Sequence, residues 1–158
     1  MTTILVVCTG NLCRSPMAAA LLRARLRQDP ERRDWQVVSA GTWAAEGRAA
    51  SKDAIAEMSQ RGIDIQAHRS RGIDEALVRG ANLILVMTRD HAEGLAVAFP
   101  EHTDRLYLLS DMIGETYDIF DPYGGTRLEY STVARELERL IDAGYDRIVS
   151  LAERAPDP

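Results

Sequence analysis

Thr3-Ile4-Leu5-Val6-Val7-Cys8-Thr9-Gly10-Asn11-Leu12-Cys13-Arg14-Ser15-Pro16 is the stretch whose reading decides the fold. Thr3 to Val7 is a short, unbroken apolar run rich in β-branched residues, the pattern of a strand buried on both faces. It stops at Cys8, and Thr9-Gly10-Asn11 is turn material. Ser15-Pro16 then reads as an N-cap followed by proline at the first helical position. Met17, Ala20, Leu21 and Ala24 follow at helical spacing and predict a helix to about Arg27, stopped by Asp29-Pro30. A buried strand feeding a helix through a tight polar turn is the opening half of a parallel α/β unit.

The rest of the chain repeats that alternation. Trp35 to Ala40 is a second strand candidate, closed by Gly41. A helix is expected from about Ser51 to Arg61, with Gly62 as its stop, and a short one over Ile73 to Val78. Ala81 to Met87 is a third buried strand, and Thr88-Arg89-Asp90 starts a helix that runs through Ala98, with Pro100 ending it. Arg105 to Leu109 is a fourth, shorter strand. Met112 to Gly125 is polar and bears glycines. The last helix, about Glu129 to Ala143, puts Val133, Leu137, Leu140 and Ile141 on one face. The expected fold is α/β: a single-domain open sheet of four parallel strands with helices on both faces, spanning residues 1–158.

Composition agrees. The 158 residues are 46% hydrophobic and 27% charged, enough for one core that needs no disulfide or metal. The net charge of −5 argues against a basic nucleic-acid surface. No apolar run approaches the roughly 20 residues of a membrane span, so no membrane partner is expected. Ile4 to Val7 lacks the charged leader and long apolar core of a signal peptide. Two cysteines without an export signal point to reduced thiols and a cytoplasmic setting. His68, His91 and His102 match no ligand spacing, so no metal is implied.

In open α/β sheets ligands sit at the carboxyl ends of the strands, and the turn from Cys8 to Pro16 occupies such an end. A cysteine followed six positions later by arginine is weak evidence alone; the surroundings decide. Successive amides of such a turn can converge into an anion-binding nest, and the helix start adds positive potential. Gly10 permits a left-handed backbone and Asn11 tolerates one. Arg14 offers a planar fork to two phosphate oxygens. The same field favours a thiolate nucleophile at Cys8, to which Ser15 can donate a hydrogen bond. A thiolate displacing an ester needs an acid for the leaving group. Asp121, stiffened by Pro122 and partly dehydrated by aromatic neighbours, is the candidate.

Cys8 to Pro16 resembles the phosphate-binding loop of the low-molecular-weight protein tyrosine phosphatases, and Asp121-Pro122-Tyr123 resembles their general-acid loop. Ser39-Ala40-Gly41-Thr42 and Ala81 to Thr88 resemble the family's second and third strand regions, so the likeness spans nearly the whole chain. The resemblance implies that Cys8 attacks phosphorus to give a phosphocysteine. It implies that the amides of Thr9, Gly10, Asn11, Leu12, Cys13 and Arg14, with the Arg14 side chain, hold the phosphoryl oxygens. Asp121 would act as acid and then base, Ser15 would stabilise the departing Cys8 sulfur, and Asn11 would brace the loop through Ser39 and His68. No metal or cofactor is implied. The expected partners are phosphorylated proteins, with inorganic phosphate as product and the enzyme a monomer. In the family Cys13 can pair reversibly with the nucleophile; read from the sequence alone, it serves equally well as a small packing residue.

The resemblance also places Trp43 and Tyr123 on the cleft walls and Leu12 on its floor. Relatives specific for phosphotyrosine carry a branched apolar residue at the Leu12 position, and those acting on phosphoarginine carry threonine. Leu12 suits a phenyl ring better than a guanidinium, whose N–H groups would lose hydrogen bonds there. Gly124-Gly125 points the other way, being common in the arginine phosphatase branch. Leu12 weighs more because it faces the leaving group, so phosphotyrosine is the expected substrate. Arsenate reductases of this fold need further cysteines, and none follows Cys13. A non-catalytic phosphoprotein-binding module would be expected to lack Cys8, Arg14 or Asp121, and all three are present.

Overall fold

The computed structural model describes residues 1–154. Its strands are β1 (Thr3–Cys8), β2 (Gln36–Gly41), β3 (Leu83–Val86) and β4 (Leu106–Leu108). All pair in parallel, in the order β2-β1-β3-β4. The helices are α1 (Arg14–Arg27), α2 (Lys52–Gln60), α3 (Glu75–Gly80), α4 (Arg89–Ala98) and α5 (Arg127–Arg154). This is the α/β open sheet read from the sequence, whose proposed boundary at Pro158 lies outside the described residues. Among the described residues no helix is long and apolar enough to cross a membrane.

Strand periodicity sorts the core into two layers. Ile4, Val6 and Cys8 of β1 face α1, α2 and α5, while Leu5 and Val7 face α3 and α4. Both faces are fully covered, which is why the strands read as solid apolar runs. Met17 and Leu22 of α1 and Met58 of α2 are completely buried, each worth about 1.5–3 kcal/mol relative to exposure. β1 pairs with β2 from Thr3↔Gln36 to Cys8↔Gly41 and with β3 from Ile4↔Leu83 to Val7↔Val86. The chain leaving β1 therefore emerges between strands on opposite sides of it, where doubly wound sheets open a crevice.

Element boundaries shift for local reasons. α1 begins at Arg14, so Ser15 is not its N-cap and Pro16 is not its first residue. Cys13 holds the capping position and its side chain caps nothing. Pro16, the third residue of α1, is tolerated because first-turn amides have no intrahelical acceptor anyway. Ser51 precedes α2 without capping it. α3 starts later than expected because Asp74 caps it, accepting from the Leu77 amide at 2.8 Å. α5 starts earlier than Glu129 through a reciprocal cap between Thr126 and Glu129. It also runs past Ala143, because Gly144 lies against Met112: a Cβ there would sit 2.6 Å from the Met112 Cβ. Tyr145, Ile148, Val149 and Ala152 prolong its buried stripe.

Candidate active site

The turn after β1 passes through one residue in the left-handed region, and it is Asn11, with φ 57°. Gly10 does not use the freedom expected of it; it lines the cleft instead. Asn11 is fully buried, so each of its polar groups needs a partner. Its Nδ2 donates to Ser15 Oγ at 2.8 Å and to Ser39 Oγ at 2.9 Å, and its Oδ1 accepts from the Arg71 amide at 3.0 Å. Its carbonyl lies 2.8 Å from His68 Nε2. A carbonyl only accepts, so that nitrogen carries the proton; burial pushes the His68 pKa down and favours this neutral form, against the opposing hydrogen bond.

The Asn11 contact also orients Ser15. Nδ2 can only donate, so Ser15 Oγ accepts there and keeps its own proton to give. Cys8 Sγ lies 3.0 Å away, nearer than the Ala40 carbonyl at 3.5 Å. Among the described residues, none of the amides from Gly10 to Arg14 donates to a protein acceptor. The first turn of α1 carries no acid that would compete for them. Arg14 is buried; its Nη1 donates to the Ile119 carbonyl at 2.9 Å, and its Nε is buried without a partner. Unpartnered amides and an orphaned guanidinium nitrogen, gathered in one turn beside the Cys8 sulfur, are donors that a tetrahedral oxyanion would satisfy.

Asp121 closes the other side. Its Oδ2 lies 3.4 Å from Arg14 Nη2 and its Oδ1 accepts from the Tyr123 amide at 3.1 Å. The expected dehydration by aromatic neighbours is not found. The Asp121 side chain is 48% exposed, and Phe120 and Tyr123 are themselves turned toward solvent. The cleft holds about 560 Å³, with Leu12, Trp43, Arg48 and Tyr123 among its lining residues. Cys13, a free thiol that also borders the cleft, lies 3.3 Å from Ser51 Oγ and 3.1 Å from the Tyr130 hydroxyl. Burial raises its pKa.

Four contributions escaped the sequence reading. Gly41, expected as the strand stop and as part of the Ser39–Thr42 segment, also sits under the turn: a Cβ there would lie 2.3 Å from the Thr9 carbonyl, so the turn needs glycine beneath it. His91, buried, meets Thr9 Oγ1 through Nε2 at 2.8 Å. Burial, reinforced by the Arg14 charge, pushes its pKa down to about 4. The Ile119 carbonyl and Arg48 complete the set. Their partners lie tens of residues away, and no local pattern marks them.

A parallel sheet whose first crossover turn combines cysteine, free amides and arginine, faced by an aspartate, defines an α/β protein with an anion site beside a thiol. The family model described as low molecular weight phosphotyrosine protein phosphatase matches residues 3–150. A probable low molecular weight protein-tyrosine-phosphatase, EpsP, from Ralstonia solanacearum is 40% identical over 149 residues, covering 94% of this chain and 97% of that protein. A protein-arginine-phosphatase from Geobacillus stearothermophilus is 42% identical over 140 residues, 88% of this chain and 90% of that one. The crystal structure of a low molecular weight protein tyrosine phosphatase from T. tengcongensis matches with a TM-score of 0.87 at 36% identity, covering 93% of this chain and 99% of that one. The chain belongs to the low molecular weight protein tyrosine phosphatase family and is a hydrolase.

Proposed function

We propose that this enzyme hydrolyses phosphotyrosine in proteins through a phosphocysteine intermediate. The observation that carries the reading is the set of unpartnered amides from Gly10 to Arg14, with Arg14 Nε, around Cys8. Cys8 sulfur attacks phosphorus as the bond to the tyrosyl oxygen breaks, and Asp121 gives that oxygen its proton. The amides and Arg14 hold the three equatorial oxygens, where charge accumulates in the transition state. Asp121, now a carboxylate, takes a proton from the water that attacks the phosphocysteine. The sulfur leaves as thiolate, stabilised by the Ser15 hydroxyl, and inorganic phosphate departs. Asn11, Ser39 and His68 act by holding the turn in shape.

Leu12 supports the aryl substrate. It lines the cleft beside Gly10 and gives a phenyl ring apolar contact while giving guanidinium N–H groups no acceptor. Trp43 and Tyr123, both exposed on the cleft, offer faces to the ring and its flanking peptide. A second reading, phosphoarginine, draws on the arginine phosphatase relative and on Gly124-Gly125. Backbone geometry already accounts for that pair. Gly124 has φ 76°, and a Cβ on Gly125 would lie 2.9 Å from the Pro122 carbonyl. Two free thiols fit a reducing, cytoplasmic setting.

The test is kcat/KM on matched phosphotyrosine and phosphoarginine peptides without metal, with Cys8→Ser as the control. Preference for phosphotyrosine is expected. Preference for phosphoarginine would overturn Leu12 as the determinant and assign the enzyme to the second reading.

A further inference from the structure

Glu57 on α2 is 2% exposed, a position that a carboxylate occupies only when fully paired. Its Oε2 accepts from Arg61 Nη1 at 2.7 Å, and its Oε1 accepts from Arg127 Nη1. Arg61 also reaches Glu138 in the middle of α5 at 3.1 Å. Arg127 is the first residue of α5. A cation there opposes the positive end of the helix, where an acid would be favoured. Neither residue stands where its own element would place it. Glu57 is shared with Arg61, and Arg127 also lies 4.0 Å from Asp53 at the start of α2, so a small ion-pair network joins α2 to the start of α5.

What the link joins matters for chemistry. α2 is fastened to the phosphate loop at its start: the Ser51 amide donates to the Leu12 carbonyl at 2.9 Å, and Ser51 Oγ meets Cys13. Arg127 directly follows the loop that carries Asp121, separated from it by Pro122, Tyr123, two glycines and the capping Thr126. The front of that loop is anchored by Arg14 on the Ile119 carbonyl. Its rear has no direct bond to the phosphate loop among the described residues apart from the long Asp121–Arg14 approach; behind it, the first turn of α5 meets the phosphate loop through the Tyr130 hydroxyl at Cys13. We propose that the Glu57–Arg127 pair positions the Asp121 loop against the phosphate loop, through α2. Both residues are positioning residues, and the inference rests on the reading of Asp121 as the acid.

The test compares kcat/KM for phenyl phosphate, whose leaving group needs a proton, and p-nitrophenyl phosphate, whose leaving group scarcely does. Glu57→Gln and Arg127→Gln should lower the first about 10-fold and the second about 2-fold or less, as a misplaced acid predicts. Inhibition by inorganic phosphate should be unchanged, because the phosphate loop is intact. Arg127→Lys should retain most of the phenyl phosphate rate. Should Glu57→Gln fail to fold, Arg127→Lys paired with Glu57→Asp keeps both charges while altering reach, and should show the same discrimination at about 3-fold. Equal losses on the two substrates, or no loss on either, would overturn the pair as a positioning device and leave a merely structural ion pair. Asp121→Asn is measured alongside. If it too lowers both substrates equally, the acid assignment fails and the proposal with it; if it discriminates and the pair does not, only the proposal fails.

Discussion

The two loops that meet at the cleft are built on opposite plans. From Cys8 to Ser15 the chain is wired in place: Asn11 is fully buried, Ser39, Arg71 and His68 grip it, His91 meets Thr9, and Gly41 lies beneath. From Phe120 to Gly125 the side chains face solvent apart from the buried Pro122, and the one hydrogen bond of the Asp121 carboxylate stays within the loop. A phosphoryl group presents the same three oxygens in both chemical steps, so donors aimed at it gain from being fixed in advance. A leaving group enters, takes a proton and departs, so on the proposed mechanism the acid gains from a loop held at its two ends, by Arg14 on Ile119 and by Glu57 on Arg127, and open between them.

Substitutions can break that contrast, the most severe at the nucleophile. Cys8→Ser should lower turnover by about 10⁴-fold or more while leaving the anion cradle able to bind inorganic phosphate. Steady-state kinetics with calorimetric phosphate titration checks this, and surviving turnover would refute the covalent route. Asp121→Asn should cost about 10²–10³-fold on phenyl phosphate and only a few-fold on p-nitrophenyl phosphate, with phosphate binding intact. A parallel loss on both would remove Asp121 from its role.

Asn11→Ala attacks the wired loop instead. It puts alanine at φ 57° and strips buried hydroxyls of their donor, so stability should fall by about 2–4 kcal/mol and kcat by about 10–10²-fold. Phosphate affinity should weaken with them, unlike the Asp121 variant. Urea denaturation and phosphate inhibition on one preparation separate the two loops; intact phosphate affinity would argue that the loop holds its shape without Asn11.

The smallest effect concerns pH. With His91 held down at about 4 by burial and Arg14, the unfolded chain binds a proton between pH 6.5 and 4 that the folded one does not. The associated stability is complete above pH 6.5 and drains away as pH falls toward 4, by roughly 3 kcal/mol in all. His91→Asn should flatten that decline in urea midpoints measured from pH 7 to 4.5. An unaltered slope would assign it to other groups.

Much of this was legible before any coordinates. Thr3 to Val7 and Ala81 to Met87 announce strands because burial on both faces leaves no polar alternation. Cys8, Arg14 and Ser15 stand out because they share one turn. Ser15 shows the limit: its contact with the Cys8 sulfur is the expected one, but as Ser-Pro before an apolar helix it also reads as a cap, and the turn instead winds straight into α1. Asp121 is marked by its likeness to a known loop, yet its carboxylate is open to solvent, since aromatic neighbours in sequence need not cover a side chain in space.

The sequence by itself determined the alternation of strand and helix, the chemical kit of the first turn and the family, because these depend on residues close together along the chain. Tertiary structure alone decided that Gly41 must lack a side chain, that His91 meets Thr9, that Arg14 grasps the Ile119 carbonyl and that Glu57 is buried against Arg127. Each is a contact between segments tens of residues apart. A backbone approach, a buried charge and its partner acquire their energies only when packing removes water from between them.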